Sequence, residues 1–207
     1  MAPTGVAAAV AAGVTLHAFL RLPAGCFDES LLEEEAAERI YSTMAKSMKN
    51  RLADTSLLMM DQVSMVSSRM FTLFCYFIGK VHADHNPGRP WRMVAFGDFH
   101  QLPPLRRGEE DKNDTRGLYA FRSVHWTRLL ADQDLELRYV WRQEDKQFIE
   151  MLPRLRVRDV TDELVLFLQE SADTYRAQVT ASGLTNLEAT HIFPHRERVK
   201  MHNGQCL

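Results

Sequence analysis

Asp61 and Asp98 each close a short apolar run, Ser56-Leu57-Leu58-Met59-Met60 and Met93-Val94-Ala95-Phe96 (the second through Gly97). A carboxylate at the tip of a buried strand can hold a magnesium ion beside nucleotide phosphates, and the next residue commonly orients the attacking water. After Asp61 that residue is Gln62, whose amide can hydrogen-bond a water but cannot take its proton at neutral pH. The blander reading is that Asp61 only caps the helix that follows. Asp98 sits in Gly97-Asp98-Phe99-His100-Gln101-Leu102-Pro103-Pro104. There the glycine permits close backbone approach and the prolines stiffen the exit. That loop would hold Gln101 with its amide free to meet a terminal phosphate; the alternative is a purely structural turn.

Thr4-Gly5-Val6-Ala7-Ala8 and Gly13-Val14-Thr15-Leu16-His17-Ala18-Phe19 alternate small residues with hydroxyls and an imidazole. Small residues let a phosphodiester backbone come close, while Thr and His donate to its oxygens. A tightly packed alanine-rich helix turn would explain the first stretch as well. Arg142, in Trp141-Arg142-Gln143, could bring positive charge to a phosphoryl group in transfer, or simply be solvated.

The elements that would position these groups follow from patterning. Continuous apolar runs of four to six residues suit strands buried on both faces, as in a parallel sheet. Between the two runs, Met70, Leu73, Phe74, Phe77 and Ile78 fall at helical spacing within 65–81. Strand, helix, strand makes a crossover unit with parallel strands, and ligands bind such sheets at the strands' carboxyl ends. The two carboxylates therefore belong on one rim. The charge-rich stretch 29–50 reads as a solvated helix, 87–90 as a loop and 106–116 as an exposed insertion. Leu135-Glu136-Leu137 with Tyr139-Val140 reads as a third strand of alternating burial. Two short helices are expected over 148–155 and 162–168, a linker near 180–186, and a further strand from Thr190 to Phe193. Ser64 reads as a helix-start residue.

The chain has 207 residues, 45% hydrophobic and 25% charged, with a formal net charge of −2. Such a composition excludes disordered and fibrous classes, and near-neutrality excludes no partner, since binding grooves are local. At about 150 residues per domain the length gives one domain and a remainder. No apolar run reaches the roughly 18 residues of a membrane span, so no membrane partner is expected. Three dispersed cysteines, Cys26, Cys75 and Cys206, form neither a disulfide framework nor a zinc spacing. His82 with His85, and His191 with His195, read as solvated surface rather than as metal pairs. The methionines Met44, Met48, Met59, Met60, Met65 and Met70 read as core filler.

Taken in order, these motifs resemble those of the Pif-type DNA helicases of superfamily one, relatives of the RecD helicases. The stretch from Thr4 to Phe19 is similar to their motif Ia, and Asp61-Gln62-Val63-Ser64-Met65 to motif II, normally Asp-Glu-x-Ser-Met. Gly97 to Pro104 is similar to motif III and Trp141-Arg142-Gln143 to motif IV. The tail Thr190-His191-Ile192-Phe193-Pro194 resembles the entry to a second RecA-like domain. The resemblance implies an α/β fold: a RecA-like parallel sheet with flanking helices over 1–145, lacking its first strand and phosphate loop. A helical segment and linker over 146–189 and the start of a second α/β domain over 190–207 would follow.

It further implies an ATP-driven motor that moves 5′ to 3′ on single-stranded DNA and unwinds a duplex or fork, in repair, recombination or telomere maintenance. ATP and Mg2+ would be its cofactors, and the compartment the nucleus or mitochondrion. By position, Asp61 would hold the metal and Gln62 would stand at the catalytic-base site. Gln101 and Arg142 would meet the γ-phosphate and Asp98 would join the nucleotide site. Thr4, Gly5, Thr15 and His17 would line the DNA path. The phosphate-cradling G-x-x-x-x-G-K-S/T is absent, and Gly79-Lys80-Val81 does not supply it. The remainder of a helicase chain is therefore expected, and this stretch by itself is expected not to unwind DNA. Two rival readings are a helicase-derived protein that binds DNA or a partner without turnover, and a module of a conjugative relaxase-helicase.

Overall fold

The computed structural model describes residues 1–22, 33–104, 119–130, 133–183 and 191–206. Two units emerge, Met1–Tyr139 and Val140–Leu207.

In the first unit, β1 (Leu57–Met60) and β2 (Arg92–Ala95) pair in parallel, with Leu57 opposite Arg92 and Met60 opposite Ala95. Helix α5 (Ser68–His85) joins them. It begins where Ser67 accepts the Met70 N–H, and a 3-10 turn at Val63–Met65 precedes it. The expected crossover unit and its helical spacing are thus present, with the helix shifted a few residues along. Ser64 does not start the helix: it is fully buried within the 3-10 turn, and Ser67 carries the capping hydroxyl.

Phe71, Phe74, Phe77, Ile78 and Val81 of α5 fill the core against Leu58 and Met60 of β1. The short helices α1 (Gly5–Val10) and α2 (Leu16–Leu20) precede them, and Leu16 and Leu20 enter the same core. On the edge of β1 away from β2, the Met1 ammonium donates to the Met59 carbonyl at 2.7 Å. The Asp61 N–H donates to the Met1 carbonyl at 2.8 Å.

The stretch expected as one solvated helix is two, α3 (Glu33–Thr43) and α4 (Lys46–Ala53), and neither is merely solvated. Both pack on α5, burying Ala37, Tyr41, Met48 and Leu52. Their charges hide a sparse apolar stripe, which is all that a helix needs to dock. Tyr41 reaches His85 Nε2 at 3.1 Å, and burial first, then the nearby Asp84 carboxylate, pushes its phenol up to about 12. His82, expected at the surface, is only 5% exposed, and neither ring nitrogen has a hydrogen-bond partner among the described residues.

The strands are not buried on both faces. Leu58 and Met60 face the core, whereas Leu57 and Met59 are 51% and 53% exposed. Nor is 135–140 a strand: Leu135 and Leu137 are 90% and 88% exposed in irregular backbone. Alternation prepares a strand, but only a partner's N–H and C=O groups complete one, and the sheet among the described residues is β1–β2. The buried Cys75 thiol is raised to about 12 by burial and is accordingly inert.

Helix α6 (Val124–Leu130) carries His125, whose ring meets Tyr76 edge-on at 4.7 Å and whose Nε2 is buried without a partner among the described residues. Burial first, then the Arg128 charge, holds this imidazole below its ordinary value. The unfolded chain therefore takes up the proton at a higher pH than the native one does. Stability from the neutral ring is complete above about pH 6.5 and is lost as the pH falls through the native value. The urea midpoint should drop as the pH is lowered from about 7 towards 5, and His125→Gln should flatten that drop. An unchanged slope in the variant would show that this ring does not contribute.

In the second unit, α7 (Lys146–Arg156) and α8 (Asp162–Ser182) pack through the buried Met151 and Leu164 and an Arg154–Glu163 ion pair at 2.5 Å. Both expected helices are present. However, α8 runs 21 residues and takes in the start of the expected linker. His191–Phe193 do not form a strand, and α9 (Arg196–Cys206) follows. The expected insertion at 106–116, Thr190 and the linker beyond 183 lie outside the described residues. No helix among the described residues is long and apolar enough to cross a membrane.

Candidate nucleotide and nucleic-acid site

Because β1 and β2 run parallel in register, the residues just past Met60 and Ala95 share one end of the sheet. Asp61 and the Asp98 loop are therefore on the same rim, as the sequence requires. Asp61 is half-buried, and its Oδ1 accepts the Gln62 N–H at 2.9 Å. Its other oxygen has no partner among the described residues. Gln62 adopts the left-handed conformation, φ 55° and ψ 43°, which costs a residue with a Cβ about 1–2 kcal/mol. Two bonds hold it there: its own N–H to Asp61, and the next N–H, of Val63, to the Phe96 carbonyl at 2.9 Å. Nothing in a glutamine's preferences announces that geometry, and sequence reasoning missed it.

The Asp98 carboxylate is largely engaged within its own loop. Oδ1 accepts the His100 N–H at 3.0 Å and Oδ2 accepts Gln101 Nε2 at 3.1 Å. A carboxylate only accepts, so it fixes which end of the Gln101 amide faces it. Among the described residues the second Nε2 hydrogen has no acceptor, and the side chain is exposed. Phe99, between them, anchors the loop by edge contacts with Tyr119, Phe121 and Trp126 at 5.9, 4.9 and 5.6 Å. Those aromatics lie beyond the motif and were not singled out from the sequence, although Phe121 and Trp126 frame the start of α6.

Thr4 and Thr15 are N-caps. Their hydroxyl oxygens accept the Ala7 and Ala18 N–H at 3.3 and 3.1 Å. Each hydroxyl hydrogen remains available to a phosphate oxygen, since a capping threonine uses only a lone pair. A Cβ added at Gly5 would meet nothing within 4 Å, so open space lies above it. His17 is exposed on α2. Arg142 belongs to the second unit, exposed in irregular chain three residues before the α7 cap, Asp145.

A hard cation fits this chemistry. Magnesium takes one or two carboxylates and completes its shell with phosphate and water oxygens. Asp61, with one oxygen uncommitted among the described residues beside a backbone-anchored turn, would supply such a ligand. No group of three or more potential ligands occurs among the described residues, so phosphate and water would supply the rest.

The family model for PIF1-like helicases matches residues 1–163, and the chain belongs to that family. Human ATP-dependent DNA helicase PIF1 is 29% identical over the whole chain, which spans 29% of that protein. The Bacteroides Pif1 structure in complex with ADP-AlF4 superposes with a TM-score of 0.67 at 27% identity, covering all of this chain and 46% of the other. Bacteroides Pif1 bound to ssDNA gives 0.70 at 26%, covering 99% and 45%. The α/β architecture expected from the sequence is that of this family of ATP-dependent DNA helicases.

Proposed function

We propose that this chain supplies the nucleotide-facing rim and part of the DNA track of a 5′ to 3′ DNA helicase. One observation carries the reading: the parallel β1–β2 pair sets Asp61, Gln62 and a pre-oriented Gln101 on a single rim, in a chain of this family. ATP with Mg2+ would supply the phosphoanhydride whose cleavage drives movement, the cation neutralising charge on the phosphates. Asp61 would hold the cation, and Gln62 would position a water without accepting its proton. Gln101 would donate its outward Nε2 hydrogen to the terminal phosphate, with Asp98 fixing the amide. Arg142, carried by the second unit, would supply positive charge to a phosphoryl group in transfer.

On the DNA side, Thr4 and Thr15 would donate their hydroxyl hydrogens, Gly5 would admit the backbone and His17 would add a further donor. Such contacts go to phosphates and tolerate many sequences. Duplex or forked DNA would be the substrate, and repair, recombination or telomere maintenance in nucleus or mitochondrion the setting.

Gln62 favours a second reading, in which the rim binds nucleotide without turnover. The test of the shared premise is a Mn2+ titration in the presence of ATP, followed by amide NMR. Broadening should centre on Gln62, extend to Gln101 and vanish in Asp61→Asn.

A further inference from the structure

Gly97 has no positive φ, so its backbone does not call for glycine. Its surroundings do. A Cβ built there would lie 2.9 Å from Val63 Cγ1, 3.0 Å from the Val63 nitrogen and 3.1 Å from the Ser64 nitrogen. Val63 and Ser64 are both buried, and two of the three atoms are backbone of the 3-10 turn directly after Gln62. None is the loose end of a flexible side chain. The preceding carbonyl, of Phe96, accepts the Val63 N–H at 2.9 Å, and the following residue, Asp98, holds Gln101. Gly97 is therefore where the loop carrying Gln101 touches the turn carrying Gln62.

We propose that Gly97 is a positioning residue whose missing side chain sets the distance between the Asp61–Gln62 turn and the Asp98–Gln101 loop. A methyl group there must push the turn and loop apart, stretching the Val63–Phe96 bond and releasing the restraint on left-handed Gln62. The spacing rests on contacts within this chain; its consequence for phosphate binding rests on the function proposed above.

The test compares Gly97→Ala, and Gly97→Ala with Val63→Ala, against the unmodified chain. In Gly97→Ala, Val63 N–H exchange should quicken about five- to tenfold, the loss of one net hydrogen bond. The Gln62 and Gln101 resonances should move while those of α8 stay. The double variant, which removes the 2.9 Å contact, should return part of both changes. With Mn2+ and ATP, broadening at the Gln101 side-chain amide should weaken relative to that at Gln62. Unchanged Val63 exchange and unchanged Gln62 and Gln101 resonances would overturn the proposal. Should Gly97→Ala unfold, a folded double variant supports the spacer and an unfolded one overturns it. Absence of Mn2+ broadening in the unmodified chain would contradict the nucleotide reading alone, because the exchange measurement needs no ligand.

Discussion

In a protein carrying this chain behind a G-x-x-x-x-G-K-S/T loop, Gln62→Glu raises DNA-stimulated ATP hydrolysis by about 10²- to 10⁴-fold, the range for a positioned general base. Glutamine and glutamate share their shape, so the left-handed turn at φ 55° should survive the exchange. What changes is the acceptor, since an amide takes no proton at neutral pH and a carboxylate does. The gain should fall in kcat rather than KM, because water activation matters in the transition state and not in nucleotide binding. Rates that stay at the Gln62 level, with ATP affinity intact, would favour the non-hydrolysing reading.

Phe74→Ala should lower the unfolding free energy of the first unit by about 3–5 kcal/mol, the usual cost of emptying an aromatic site in a core. Phe74 is fully buried on α5, with Phe19 and Trp91 rings at 6.2 and 6.4 Å. One side chain thus ties the helix after α1 to the crossover helix and to the loop before β2. Against a total of about 5–15 kcal/mol for a domain, such a loss removes much of the margin. Val10→Ala, on the exposed side of α1, should change stability by less than about 0.5 kcal/mol. Urea denaturation measures both. A Phe74→Ala effect near that of Val10→Ala would mean that α5 is not the centre of the core.

Much of the site was legible because strands and helices leave different periods. Two apolar runs ending in aspartate, separated by helical spacing, were enough to place Asp61 and Asp98 on one rim. The glycine of the second motif was legible as a point of close approach, although not what it approaches. Gln62's backbone was not legible, because it is imposed by the Asp61 and Phe96 acceptors rather than by the residue itself. Three of the readings that failed did so for related reasons. Leu135, Leu137 and Tyr139 alternate as a strand should, but ladder partners come from elsewhere in a fold. Helix α8 runs beyond the expected 162–168 because a helix can continue through polar residues, here Ser171, Asp173 and Thr174. The histidine at 82 read as surface from its type, whereas its place on the inner side of α5 buries it.

The most direct test of the central claim, that the β1–β2 rim faces the nucleotide, is the Mn2+ titration with ATP. The account predicts broadening that radiates from Gln62 to Gln101 and disappears in Asp61→Asn. Broadening confined to the acidic starts of α3 and α8, and indifferent to Asp61→Asn, would contradict it.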